Sequence, residues 1–261
     1  MEKSNPEKNT RAHKKPNFEK ARAAIDPELK EKWISIQEDL KKQIVEKDDE
    51  GVTLDSIKYV AGMDVSLSNE EGFEHLAVAS MSVMKFPSME LVYEKHIERS
   101  HDIPYCPGFL AFKEIPAMKE LFQIFRDDNP DMKLDFVLCD CNGILHCNAC
   151  GCASHFGVEV DIPTIGCSKT IFAVDGLNSR MTREIKEKFK KENPPKGTSV
   201  ELKGKSGRIW GHALKSGEKS FDPLIVSVGH RVSIKTAVAV VEKCCTHRVP
   251  EPIRYADLKS R

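Results

Sequence analysis

SIKYVAGMDVSLS, residues 56–68, is a strand-like run of β-branched and aromatic residues with one acid, Asp64, in its apolar middle. Two similar runs follow, HLAVASMSVMKF (75–86) and MELVYEKHIE (89–98). Short, turn-rich connections join the three, which predicts an antiparallel meander. Such a meander fixes the first half of the fold and leaves Asp64 to be explained. An acid inside an apolar strand is costly unless it is paired or binds a cation.

Working outward, Asp26-Pro27 opens a helix, with Asp as N-cap and Pro at the first helical position. Leu29, Trp33, Ile36, Leu40 and Ile44 form its buried stripe, and Asp48, Asp49 and Gly51 are expected to end it. C-terminal to the meander come the loop HDIPYCPGF and a helix over about 112–127, whose apolar side carries Phe112, Met118, Leu121 and Phe125. DFVLCD (135–140) and TIGCS (164–168) read as short buried strands with a helix near 153–160 between them. Residues 178–206 are charged and read as a surface excursion, followed by strands in GRIWGHAL and PLIVSV. Ser233 caps a helix running to Cys245, and a last helix starts near Arg254. Strands first, then helices interleaved with strands, predict an α/β fold with a mixed sheet.

The 261 residues suffice for one large domain. Residues 1–24 are polar and Lys-rich and read as a flexible basic tail, with 25–261 as the folded unit. Lys plus Arg equals Asp plus Glu at 40 each, so net charge does not itself point to nucleic acid, although neutrality can hide a basic face over an acidic site. No apolar run approaches a membrane span and no signal-peptide core is present, so no membrane partner is expected. The expected compartment is cytoplasmic, with nuclear entry open. The nine cysteines are odd in number and mostly set in apolar segments, which reads as thiols rather than a disulfide framework.

Asp140 ends the second apolar strand, in VLCDCNG, as Asp64 sits in the first. Two acids on strands that can lie side by side suggest a carboxylate pair for a hard cation such as Mg²⁺, with solvated strand-end acids as the alternative.

GMDVS, PYCPGFLAFKEIP, VLCDCNGILH, GCSKTIFAVDGL, IVSVGHRVS and RVPEPIRYADL occur in this order. Together they resemble the endonuclease V family, most of all its animal members, from about residue 27 to the end. The resemblance implies a ribonuclease H-like fold, a mixed central sheet flanked by helices. It also implies a Mg²⁺-dependent endonuclease, with Mn²⁺ as substitute, cutting at the second phosphodiester 3′ to inosine. Animal members suggest inosine-containing single-stranded RNA as the partner. A deoxyinosine-directed DNA repair endonuclease and a non-catalytic inosine binder are the alternatives.

By position, Asp64, Asp140 and Glu114 match the family's metal-binding and catalytic acids, and Asp257 matches a further position near the metal. Lys169 matches a lysine near the reacting phosphate, where its charge can offset the developing negative charge. His146 matches a histidine that approaches the phosphate. His230 reads as structural, tying down a strand-to-helix turn. Tyr105 between Pro104 and Pro107 matches a wedge that replaces the stacking lost when a base leaves the strand. Gly108, Leu110, Gly151, Cys152 and Phe172 are placed around the base. Backbone groups left unpaired by the wrong base would discriminate by about 1–3 kcal/mol each.

CDCNGILHCNACGC (139–152) departs from the family pattern, with Cys141 where glycine is common and no arginine beside the phosphate. CNAC (147–150) has the spacing of a zinc half-site or a redox dithiol, while replacement of small residues around the loop is the third reading. Alternation along the strand turns Cys139 and Cys141 away from the side of Asp140. If the usual glycine needs a positive φ, Cys141 is strained there.

Overall fold

A computed structural model describes residues 25–68, 75–100, 103 and 106–260. The tail 1–24 and the wedge residues Pro104 and Tyr105 lie outside the described residues. The meander is present: β1 (Tyr59–Leu67), β2 (Leu76–Lys85) and β3 (Glu90–Ser100) pair antiparallel in sequence order. β4 (Phe136–Cys139) then lies parallel to β1, and β5 (Thr164–Ser168) parallel to β4. Three antiparallel additions complete an eight-stranded mixed sheet, ordered β3-β2-β1-β4-β5-β8-β7-β6, with β6 (Ser199–Lys203), β7 (Ile209–Leu214) and β8 (Leu224–His230). This is the ribonuclease H-like arrangement expected from the motifs.

Period-two alternation divides the core between the two faces of the sheet. Val60, Phe136 and Leu138 face α5 (Ile234–Cys244) and α6 (Glu251–Ser260). Ala61, Val137 and Cys139 face α2 (Ala111–Asp128) and α3 (Cys152–Val160). Cys139 and Leu138 thus point to opposite faces, but Cys139 and Cys141, expected to turn away from Asp140, line the same cleft as that acid. No helix among the described residues is long and apolar enough to cross a membrane.

Asp26 caps α1 (Pro27–Gln43) by accepting from the Glu28 N–H at 3.0 Å. The helix stops at Gln43, short of Asp48, and Ile44 is already extended. The intervening residues have other partners. The Val45 N–H donates to His230 Nδ1 at 3.3 Å, Asp48 accepts from the Ser233 backbone at 2.7 Å, and Asp49 accepts from Arg231 at 2.8 Å. His230 does tie the chain down, as its place at the end of β8 suggested. The charged stretch 178–206 is a second correction. It supplies α4 (Ser179–Glu192), which buries Ile185 and Phe189, and the edge strand β6. In β6 only Leu202 is buried, and charged residues flank it, a pattern that protects a sheet edge.

Candidate active site

Strand register sets the centre of the site. Met63 pairs with Cys139 across the parallel β1–β4 ladder, and the Asp140 N–H donates to the Met63 carbonyl at 3.1 Å. The next residue on each strand is an aspartate, so Asp64 and Asp140 stand side by side. Glu114, in the first turn of α2, comes from the face that packs on Met63 and Cys139. The three acids share a cleft of about 20 Å³, lined also by Cys139, Cys141 and Cys152.

Gly62 explains how a fourth acid arrives. A side chain there would have its Cβ 2.1 Å from the Pro252 carbonyl carbon, so only glycine lets the start of α6 rest directly on β1. Ser82 Oγ donates to the Pro252 carbonyl at 2.7 Å and fixes that contact. α6 then carries Asp257 into the field of Asp64, and Ser260 Oγ donates to Asp64 Oδ2 at 2.6 Å.

The acids crowd one another. Asp64 is pushed above the usual carboxylate range by burial first, then by Asp140 and Asp257, against the Ser260 hydroxyl that favours its charge. Glu114 is pushed up to about 7, again by burial first, with Asp64 and Asp140 adding to the rise and the Cys152 thiol opposing it. Lys169, just past β5, holds Asp140 through an Nζ–Oδ2 contact of 2.7 Å and is itself half exposed.

The donor set suits a hard divalent ion: carboxylate oxygens of like charge, destabilised by each other, around a space of ion or water size. As the side chains stand, no three of the described His, Cys, Asp or Glu residues form a ligating cluster. Lys169 takes an Asp140 oxygen and Ser260 an Asp64 oxygen. Residue type and placement fit the ion, while the present rotamers serve hydrogen bonds instead.

The remaining candidates form a second group. His146 is buried and faces Phe172 with ring centroids 4.8 Å apart. Burial holds its imidazole down at about 4, so the ring is neutral near pH 7, and Nδ1 accepts from the Asn148 N–H at 3.3 Å. Those contacts place His146 beside Phe172 and the 147–148 turn rather than on the acids. Gly108 has φ +85°, and a Cβ there would meet Cys147 Sγ at 3.3 Å. Pro107 and Leu110 flank it, Leu110 as the N-terminal boundary of α2. Gly151 packs on the 142–143 backbone, and its N–H is already spent on the Gly143 carbonyl at 2.9 Å. Cys152, which the resemblance places around the base, has its Sγ 3.6 Å from Met118 Sδ and lines the carboxylate cleft with Glu114.

One residue absent from the sequence reading joins these parts. Gln37 of α1 is fully buried. Its Nε2 donates to the carbonyls of Gly108 at 3.1 Å and Cys150 at 3.3 Å, and its Oε1 accepts from Asn148 Nδ2 at 2.6 Å. The available signal was its spacing, four residues after Trp33 and three before Leu40, which puts a polar side chain inside an apolar stripe.

The cysteines resolve partly. Cys141 does not have a positive φ; Ala149 does, at 54°, so the backbone strain lies eight residues later. In CNAC, Cys147 is exposed and Cys150 fully buried, so the pair does not present one face to a metal.

The endonuclease V family model matches residues 38–258. Human endonuclease V is 40% identical over 233 residues, 88% of this chain and 81% of that protein. The crystal structure of the human catalytic domain superposes with a TM-score of 0.83 at 38% identity, covering 90% of this chain and 96% of the other. Ciona intestinalis endonuclease V, solved with a 24mer DNA containing an inosine followed by a ribo-adenosine, gives 0.81 at 32% identity, covering 90% and 97%. With the motifs, the sheet order and these likenesses in agreement, the chain belongs to the endonuclease V family.

Proposed function

We propose that this protein is a metal-dependent endonuclease that cuts inosine-containing single-stranded RNA at the second phosphodiester 3′ to the inosine. The observation that carries the reading is the pairing of Asp64 and Asp140 on adjacent parallel strands, faced by Glu114, in a chain of this family. Asp64, Asp140 and Glu114 would hold the divalent ion, Mg²⁺ or Mn²⁺, with Asp257 beside them; the ion supplies charge stabilisation on the phosphodiester and a more acidic water. Lys169 exchanges its carboxylate partner for the phosphate and offsets charge that develops there. Neutral His146 with Phe172 forms an aromatic wall on the base side. Tyr105, stiffened by Pro104 and Pro107, fills the gap left by the extruded base. Gly108, Leu110 and Gly151 bring backbone close to its edge, and the spent N–H of Gly151 leaves the recognition to neighbouring groups.

The DNA reading is kept because a neighbour was solved on DNA. That DNA carries one ribonucleotide, directly after the inosine. We infer that the 2′-hydroxyl that matters for this chain belongs to that nucleotide. The test uses four strands of one sequence: all-RNA, all-DNA, DNA with one ribonucleotide after deoxyinosine, and all-RNA with adenosine for inosine. Cleavage of the first and third, with 3′-hydroxyl and 5′-phosphate ends, supports the reading. Equal cleavage of the all-DNA strand assigns the protein to deoxyinosine.

A further inference from the structure

Away from the carboxylate cleft, a groove of about 650 Å³ runs between α4, the loop 217–222 and the turn 246–248. Its walls carry Lys186, Lys190, Lys219, His247 and Arg248, opposed by Glu218 and Asp222. Lys186 pairs with Asp222 at 2.7 Å, and His247 with Glu251 at 2.8 Å. A further cation lies under the floor. Lys215 is 2% exposed and donates from Nζ to the carbonyls of Gly217 and Glu218 at 3.3 and 3.1 Å. In a chain whose formal charges balance, this is a local concentration of positive charge.

Arg248 connects the groove to the site. Its Nη2 donates to the Lys169 carbonyl at 3.2 Å and to the Pro223 carbonyl at 3.0 Å. Its own carbonyl accepts from Ser216 Oγ at 2.6 Å. Its Nε is buried and has no hydrogen-bond partner among the described residues. One residue therefore walls the groove, braces the backbone of the lysine that holds Asp140, and keeps a donor unspent.

We propose that this groove is the track for the sugar-phosphate backbone of the substrate strand on one side of the scissile bond. The inference rests on the function proposed above and adds where the strand runs. Lysines and an arginine grip phosphates whatever the base, so the groove supplies affinity and register while the base pocket supplies selectivity. Continuity through Arg248 and Lys169 makes the scissile phosphate and the groove-bound phosphates neighbours on one strand.

The test is a Lys190→Ser, Lys219→Ser double variant, since neither residue lines the cleft of Asp64, Glu114 and Asp140, Lys190 pairing instead with Glu187 at 2.8 Å. Its kinetics are measured on inosine RNAs of about 6 and about 20 nucleotides, one near the low end of usual single-strand sites and one beyond the high end. The expected result is an unchanged kcat on both and an unchanged KM on the short strand. On the long strand KM rises about tenfold, and the slope of log affinity against log salt falls by roughly 1.4 for two lost phosphate contacts. A long-strand KM and salt slope equal to wild type, or equal losses on both lengths, overturns the groove. Wild-type discrimination between inosine and adenosine strands is scored alongside. Its absence removes the functional reading and the groove with it, whereas intact discrimination with equal KM values removes the groove alone.

Discussion

Asp64 and Asp140 are held by the sheet: one ladder register fixes both, and any sequence that forms β1 and β4 in that pairing sets them side by side. Residues 107–110 and 146–151 lie in loops fastened to α1 by the buried amide of Gln37 and by Trp33, whose ring lies 5.6 Å from that of Phe109. The difference teaches where each property of the protein resides. In the function proposed above, the chemistry sits on the paired strands and recognition on the segments that the Gln37 amide joins. Burial marks both regions with opposite effect, raising Glu114 to about 7 and lowering His146 to about 4. Each group is thereby pushed toward its neutral form until something pairs with it.

The comparison is broken first at Glu114. In the metal-free protein its carboxyl titrates near 7 when folded and near 4.5 when unfolded, so the folded state holds the extra proton between those values. Stability is then full below pH 4.5 and lost as pH rises through 7. Glu114→Gln keeps the neutral form at every pH. In chelator at pH 8 it should unfold at higher urea than wild type, by up to about 3 kcal/mol, and match it near pH 4.5. A variant no more stable at pH 8 would mean the cleft does not strain its acids.

Gln37 sharpens the other side. Gln37→Ala leaves one buried carbonyl, one half-buried carbonyl and one amide without their partner and should cost about 2–3 kcal/mol in urea unfolding. In activity, the loss should fall on selectivity for inosine over adenosine more than on the rate at saturating metal. Equal loss of rate and selectivity would merge the two regions into one.

The smallest effect concerns Ala149, whose φ of 54° belongs to glycine. Ala149→Gly should raise stability by about 0.5–1 kcal/mol, relief of strain outweighing the entropy of the new glycine. No gain would place the strain of this loop elsewhere.

Much of this was legible in the sequence, for physical reasons that vary by element. The meander, β4, β5 and the two aspartates were readable because apolar strands announce themselves and an acid inside one stands out. The capped ends at Asp26 and Ser233 were readable because capping is local chemistry. The end of α1 was not, since Asp48 and Asp49 serve Ser233 and Arg231, more than 180 residues away. The edge strand β6 hid behind charge, because an exposed edge needs only Leu202 to face the core. Gln37 and Ser260 escaped notice because a lone polar side chain gains meaning only from its distant partners. That the first turn of α3 brings the Cys152 thiol to Glu114 was equally hidden, since it depends on how α3 packs against α2.

The central claim is that Asp64 and Asp140 together make the cutting site. Its most direct test is product mapping on an inosine RNA in Mg²⁺, comparing wild type with Asp64→Ala and Asp140→Ala, all confirmed folded by circular dichroism. Wild type is expected to cleave at the second phosphodiester 3′ to inosine, and each variant to lose about 10³-fold or more with the RNA still bound. Either variant cutting the same bond at near wild-type rate would contradict it.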